Sequence, residues 1–414
     1  MRVCMLVEPA DRAAGHVRGL AAALAAHGHD VTRVERRTDP QAPARDESGP
    51  GRVPVVRLDA GPPRPLTADE RLRAAPELGY RLAVDWATSR PDVVHAHGWQ
   101  AGLAALAAAR DLPSSLRPLV ILTFHGLVAG RRHHTRSGAA PGVPDPRRAA
   151  VRPRLEAALA RGVDRIVALS NEELERLVAL GVSRQDVQVV PTGVEPTVFQ
   201  PEPRPEHHGG PVRLLAAGSL APSGCLDLAV RALAGVKGAE LVLLPAGSVE
   251  ATDTARLVGT ARRHGVADRL HVLDPVPPAA LPGVLRSADV LVRTRPDEPT
   301  GRLVVQAMAC GLPVVGPAVG CLLDAVVEGG TGVLVPPEDS RALATALHAL
   351  VSDPVRREGY GLAAVERART RYAWPRLAEE VERAYGRAEL RRSGSGGAGV
   401  AHPGAAAAPA PTGS

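Results

Sequence analysis

Short apolar runs separated by stretches of helical periodicity recur along most of this 414-residue chain, and this alternation limits its fold more than any other feature. An apolar run without polar alternation fits a strand buried on both faces, as in a parallel sheet covered by helices. Such runs fall at 2–7, 30–34, 92–95, 119–124, 165–169 and 187–190, and again at 212–216, 240–244, 270–273, 290–292, 313–315 and 332–335. Two doubly wound α/β domains of Rossmann-like type follow, with ligands expected beyond the carboxyl ends of the strands, in the cleft between the domains. Residues 201–211, rich in Pro, Glu, His and Gly, read as the linker between a first domain at 1–200 and a second at 212–374. Leu377, Val381 and Tyr385 lie about a turn apart and predict an amphipathic helix over 375–390. Residues 391–414 carry too little apolar content to fold, and 38–50 and 136–146 read as long polar loops.

Composition narrows the function classes. The net charge is +6, but 44 acidic residues are interspersed with 50 basic ones and aromatics make up only 2%. Neither a basic patch nor rings for stacking on bases are available, so nucleic acid is not an expected partner. Cys4, Cys225, Cys310 and Cys321 form no Cys-x-x-Cys pair, which predicts neither a zinc site nor a disulfide framework. A reduced, cytoplasmic protein is the simplest reading. The first apolar run is too short for a signal-peptide core and no run reaches membrane-spanning length, so no integral membrane segment is expected.

The segment Glu298-Pro-Thr-Gly-Arg-Leu-Val-Val-Gln306-Ala-Met-Ala-Cys-Gly-Leu-Pro313 carries the chemistry. A helix starting near Gly301 contains Gln306, while Glu298 projects from the loop before it. The unpaired N–H groups of that helix start are suited to a phosphate or sugar oxygen. The segment resembles the Glu-x7-Glu region of retaining GT-B glycosyltransferases of family 4, with Gln306 in place of the second Glu and Thr300 in place of Phe. Ala318-Val-Gly320, Val327-Glu-Gly-Gly-Thr-Gly-Val-Leu-Val-Pro336 and Tyr372-Ala-Trp374 resemble the segments that follow in the family. Pro91-Asp-Val-Val-His-Ala-His97, Thr123-Phe-His125 and Pro191-Thr-Gly-Val-Glu-Pro-Thr-Val-Phe199 match its earlier landmarks, so the similarity spans roughly residues 1–388.

The resemblance implies an enzyme of GT-B fold, with an acceptor-side first domain, a nucleotide-sugar-binding second domain and a last helix that crosses back onto the first. It also implies hexosyl transfer from a nucleoside diphosphate sugar, UDP- or GDP-linked, to a hydroxyl acceptor that is a small molecule or a glycan. No metal or further cofactor is implied, because the protein's main task is to stabilise charge on the leaving phosphates. In the family, Glu298 would bond the donor sugar, Gln306 the ribose, and His125 would stand near the reacting sugar. The family's phosphate-binding Arg and Lys fall at Ser219 and Gly224 in the turn Gly218-Ser-Leu-Ala-Pro-Ser-Gly224. Two charged hydrogen bonds at roughly 1.5–3 kcal/mol each make this loss worth about 3–6 kcal/mol. In Pro9-Ala-Asp-Arg-Ala-Ala-Gly15, either Asp11-Arg12 occupies the family's Gly-Gly position or Gly15 serves it through a shifted alignment.

Arg293 and Arg295 read either as replacement phosphate charge or as exposed loop arginines of an arginine-rich chain, and Arg302 is a second candidate whose side chain has solvent as its other option. Arg131, Arg132 and His133 read either as an acceptor-side basic patch or as a solvated loop. His95-Ala-His97 resembles a metal pair, but strand alternation is taken to separate the rings and no third ligand lies nearby, so no metal is expected. Glu172-Glu-Leu-Glu175, after a Ser170-Asn171 cap, reads as a solvated helix face. Two functional readings stay open: an active transferase, or a non-catalytic or very weakly active paralogue that binds sugar, nucleotide or a partner enzyme.

Overall fold

In the computed structural model, which describes residues 1–9, 13–47, 53–129, 151–202, 210–247 and 249–395, the apolar runs form two sheets. The first contains β1 (Arg2–Val7), β2 (Asp30–Arg36), β3 (Arg45–Asp46), β4 (Val55–Leu58), β5 (Val93–His97), β6 (Leu119–Thr123), β7 (Arg165–Ala168) and β8 (Val187–Val189). Its order is β3-β4-β2-β1-β5-β6-β7-β8. The second contains β9 (Val212–Gly218), β10 (Ala239–Pro245), β11 (Leu270–Val272), β12 (Val290–Val292), β13 (Val314–Pro317) and β14 (Gly332–Val335), ordered β11-β10-β9-β12-β13-β14. Pairing is parallel throughout except between β3 and β4. The fold is thus the α/β GT-B arrangement of two Rossmann-like sheets.

Strand order reverses beside β1 in the first sheet, where β2 and β5 flank it, and beside β9 in the second, where β10 and β12 flank it. The chain leaving these strands at their carboxyl ends opens the two crevices where such folds bind ligands. β3 and β4 occupy an edge that the sequence did not reveal. The first is a two-residue strand inside the expected 38–50 loop, and only one of the four residues of the second is buried.

Helices cover both faces of each sheet. The last helix, Trp374–Ser395, buries Leu377, Val381 and Tyr385 in one cluster with Val3, Met5, Val93 and Ile121 of the first sheet. It runs past Leu390, so residues 391–395 are helical rather than the start of a structureless tail. The remainder of that tail and the 136–146 loop lie outside the described residues, as do Arg131, Arg132 and His133. No helix among the described residues is long and apolar enough to cross a membrane.

Candidate active site

Histidines collect at the carboxyl end of β5 and β6. His95 and His97 are both buried, and their rings stack with centroids 4.2 Å apart and planes 28° from parallel. This corrects the expectation that strand alternation separates them: residues two apart on a strand share a face. His97 Nδ1 lies 2.9 Å from His125 Nε2, so one ring donates to the other. His16, in the first turn of the Ala14–Ala26 helix, packs edge-on to His125 at 4.9 Å and to Trp374 at 5.2 Å. His16, His97 and His125 bring ring nitrogens within 4.8 Å of one another, a trio that leaves out His95 of the pair marked in the sequence and takes in His16 through tertiary structure.

His95 is fixed by Thr123 Oγ1 at 2.8 Å and by the Tyr385 hydroxyl, from the last helix, at 2.9 Å. Burial first, then the neighbouring rings, disfavours protonation throughout the cluster. His95 and His125 are pushed down to about 3, and His16 and His97 fall well below the ordinary imidazole value. Each ring therefore offers one donor and one acceptor at neutral pH. His16 Nδ1 and His97 Nε2 are buried without a partner among the described residues.

His125 itself has φ 53°, a conformation that side chains rarely adopt without compensation. The compensation comes from Glu156, which is wholly buried and accepts from the Val128 and Ala129 N–H groups at 2.7 and 2.8 Å. Arg152 donates to Glu156 at 2.7 Å and to the Gly126 carbonyl at 2.7 Å, while Arg176 donates to the Leu127 carbonyl at 2.8 Å. Sequence reasoning missed Glu156 and Arg152, whose i,i+4 spacing looks like any surface pair. Glu156→Gln keeps the shape but turns one acceptor oxygen into a donor group. It is expected to lower stability by roughly 1–3 kcal/mol in urea unfolding, whereas a true surface pair would lose under about 0.5 kcal/mol.

Across the cleft, Gly301 caps the Arg302–Ala309 helix and Glu298 stands in the loop before it. The Glu298 carbonyl accepts from Cys321 N at 2.9 Å. Its carboxylate is buried, and Arg293 donates to Oε2 through both Nε, at 2.8 Å, and Nη2. Arg293 Nη1 also reaches the Ala217 carbonyl at the end of β9, at 2.6 Å. Glu298 Oε1 receives no hydrogen bond from a described residue. Arg295 is spent in the same way, on Asp297 at 2.7 Å. Thr300 is half-buried, and Gln306 is buried with its amide unbonded among the described residues. Arg302 does not turn away to solvent: its guanidinium lies over Gly15 of the first domain.

Gly218 ends β9, and the turn after it holds Ser219 and Gly224. Ser219 Oγ accepts from Ala221 N at 3.2 Å, and Arg256 braces the turn by donating to the Leu220 carbonyl at 2.6 Å. A Cβ on Gly224 would lie 1.8 Å from the Ser219 carbonyl oxygen, so this turn closes only around glycine. Restoring lysine there is expected to cost about 1–3 kcal/mol. A Gly224→Lys variant with an unchanged melting temperature would show that the turn is plastic.

The two domains also touch through the 169–172 and 320–324 segments. Asn171 bonds the Asp324 carboxylate at 2.8 and 2.7 Å, and Gly320 N donates to Glu172 at 2.6 Å. The Cys321 thiol donates to the Leu169 carbonyl at 3.5 Å and the Pro299 carbonyl at 3.2 Å. The expected solvated face at 172–175 is therefore corrected: Glu172 crosses to the other domain and Glu173 is buried, accepting from Leu169 N at 2.8 Å. Only Glu175 keeps an exposed pairing, with Arg184 at 2.7 Å.

Comparison with known proteins places this geometry. Residues 13–198 match the model of Glycosyltransferase Family 4, and residues 201–367 that of Glycosyl transferases group 1. The D-inositol 3-phosphate glycosyltransferase of Arthrobacter sp. (strain FB24) is 31% identical over 381 residues, which is 88% of this chain and 87% of that protein. Sucrose-phosphate synthase from Thermosynechococcus elongatus superposes with a TM-score of 0.80 at 24% identity, covering 95% of this chain and all of that one. An Anabaena protein crystallised with UDP-glucose superposes at 0.69 with 17% identity, over 95% of this chain and 100% of its own; at these identities the likeness is one of fold. Matched in both halves, and aligned over most of its length to a named transferase, the chain belongs to the family 4, group 1 glycosyltransferases.

Proposed function

We propose that the protein moves a hexosyl unit from a nucleoside diphosphate sugar to a hydroxyl acceptor with retention of configuration. One observation carries the reading: the His125 and Glu298 loops meet across the cleft, a Cβ on Gly126 lying 3.9 Å from the Pro299 side chain. Between them a donor sugar would find the free Oε1 of Glu298 as acceptor and a neutral His125. Gln306 supplies an amide for the ribose hydroxyls. The histidine wall carries no charge, so stabilisation of the leaving phosphates falls to guanidinium groups and to the Arg302–Ala309 helix start.

A second reading, a binding protein with little turnover, is favoured by the Arg293 contact on Glu298 and by the absence of charge at Ser219 and Gly224. Melting temperatures measured across UDP, GDP, ADP, dTDP and their common sugar conjugates test the donor class. A ligand at a hundred times its dissociation constant adds about 2.7 kcal/mol, a shift of a few degrees. One responding nucleotide is expected; millimolar concentrations of all of them without a shift would remove nucleotide-sugar chemistry from this cleft.

A further inference from the structure

Arg302 is the anomaly of the cleft. It occupies the first position of a helix, where the partial positive charge of the free N–H groups makes a cation locally unfavourable and an acid the ordinary choice. A residue that breaks a local rule of this kind needs a compensating role. Its guanidinium spans the domains: a Cβ on Gly15 would lie 2.4 Å from Nη1 and 2.6 Å from both Cζ and Nη2. Three atoms at nearly one distance place the face of the guanidinium over the position a Gly15 side chain would take. Only glycine permits this approach.

Arg302 has no carboxylate partner among the described residues, unlike Arg293 and Arg295. Burial, with the like charge of Arg18 nearby, disfavours its charged form. His16, next to Gly15 in the chain and buried, keeps Nδ1 without a partner. A half-buried guanidinium beside an unused ring nitrogen, with no acid bonded to it among the described residues, leaves a positive site that an anion would complete.

We propose that Arg302, seated on Gly15, forms the phosphate-binding site of this cleft in place of the charge missing at Ser219 and Gly224. The ligand chemistry is a phosphate group with several free oxygens. Its source is either the donor's diphosphate or a phosphate carried by the acceptor. The inference rests on the transferase reading for the identity of the ligand but not for the existence of the site.

Two variants test it. Arg302→Gln removes the charge. Gly15→Ala keeps the charge but fills the seat of the guanidinium, at a helical position where alanine favours folding. Calorimetric titration of the full chain would use inorganic pyrophosphate, UDP, uridine and D-inositol 3-phosphate. Both variants are expected to weaken pyrophosphate and UDP by about ten- to a hundredfold, as befits one charged hydrogen-bonding group, and to leave uridine unchanged. Arg302→Lys should recover part of the loss. If only the inositol phosphate weakens, the site stands and its anion belongs to the acceptor. If pyrophosphate responds to the variants while wild-type protein binds no nucleotide, the site stands and the transferase reading falls. Wild-type binding that neither Arg302→Gln nor Gly15→Ala alters would overturn the proposal.

Discussion

Replacing Arg293 by alanine is expected to cost roughly 3–5 kcal/mol of stability and to abolish transfer, the largest effect of any single substitution in the cleft. Arg293 and Glu298 are both nine-tenths or more buried, and Arg293 meets one carboxylate oxygen through two nitrogens while its third reaches the Ala217 carbonyl. Removing the guanidinium leaves a carboxylate out of water with no counter-charge, and also leaves the end of β9 without a donor. Glu298 would then turn or protonate, and the oxygen proposed to meet the sugar would no longer be held in place. Pairing Arg293→Met with Glu298→Gln should return most of the stability without activity, because the unpaired charge is gone. Denaturant unfolding of the two single variants and the double variant reads this directly. A loss under about 1 kcal/mol for Arg293→Ala would mean that Glu298 has another counter-charge and that Arg293 is not its anchor.

Mild acid is expected to destabilise the protein through its buried histidines. His16, His95, His97 and His125 are held neutral in the folded chain, with His95 and His125 down to about 3, whereas the unfolded chain takes up protons near 6.5. A depressed folded value means that the stabilisation is complete above pH 6.5 and is lost as pH falls towards 3. Each such ring removes about 1.4 kcal/mol per pH unit in that window. Lowering the pH from 7 to 5.5 should therefore cost on the order of 3–5 kcal/mol, a large share of the stability of an ordinary domain. Carboxylates with depressed values, such as Asp92, act only at lower pH, whereas Glu173 and Asp85, raised by burial, offset part of the histidine loss. Melting temperature followed from pH 7.5 to 5 checks the expectation, and a flat profile would show that the cluster accepts protons without unfolding.

The fold was legible because strands buried on both faces must be written as apolar runs, and the runs at 290–292 and 332–335 coincide with β12 and β14. The edge strands β3 and β4 were not, since Arg45–Asp46 and the mostly half-buried Val55–Leu58 carry no such pressure. At the site, the motif around Glu298 marked the loop, the cap and the helix start. The sequence could not show which acid each arginine would choose: packing spends Arg293 and Arg295 on acids and sends Arg302 to Gly15. The pairing of His95 with His97 was recoverable, because positions two apart on a strand always share a face. The arrival of His16 was not, because it depends on how the Ala14–Ala26 helix lies against Trp374.

Release of nucleoside diphosphate from the nucleotide sugar that binds, measured with hydroxyl-bearing acceptors for the wild type and for Glu298→Ala, tests the account most directly. Wild-type turnover that falls by at least about a hundredfold in Glu298→Ala is the result predicted for a carboxylate that holds the sugar in the transition state. A donor that binds the wild type tightly and is never cleaved, with Glu298→Ala binding it equally well, would contradict it.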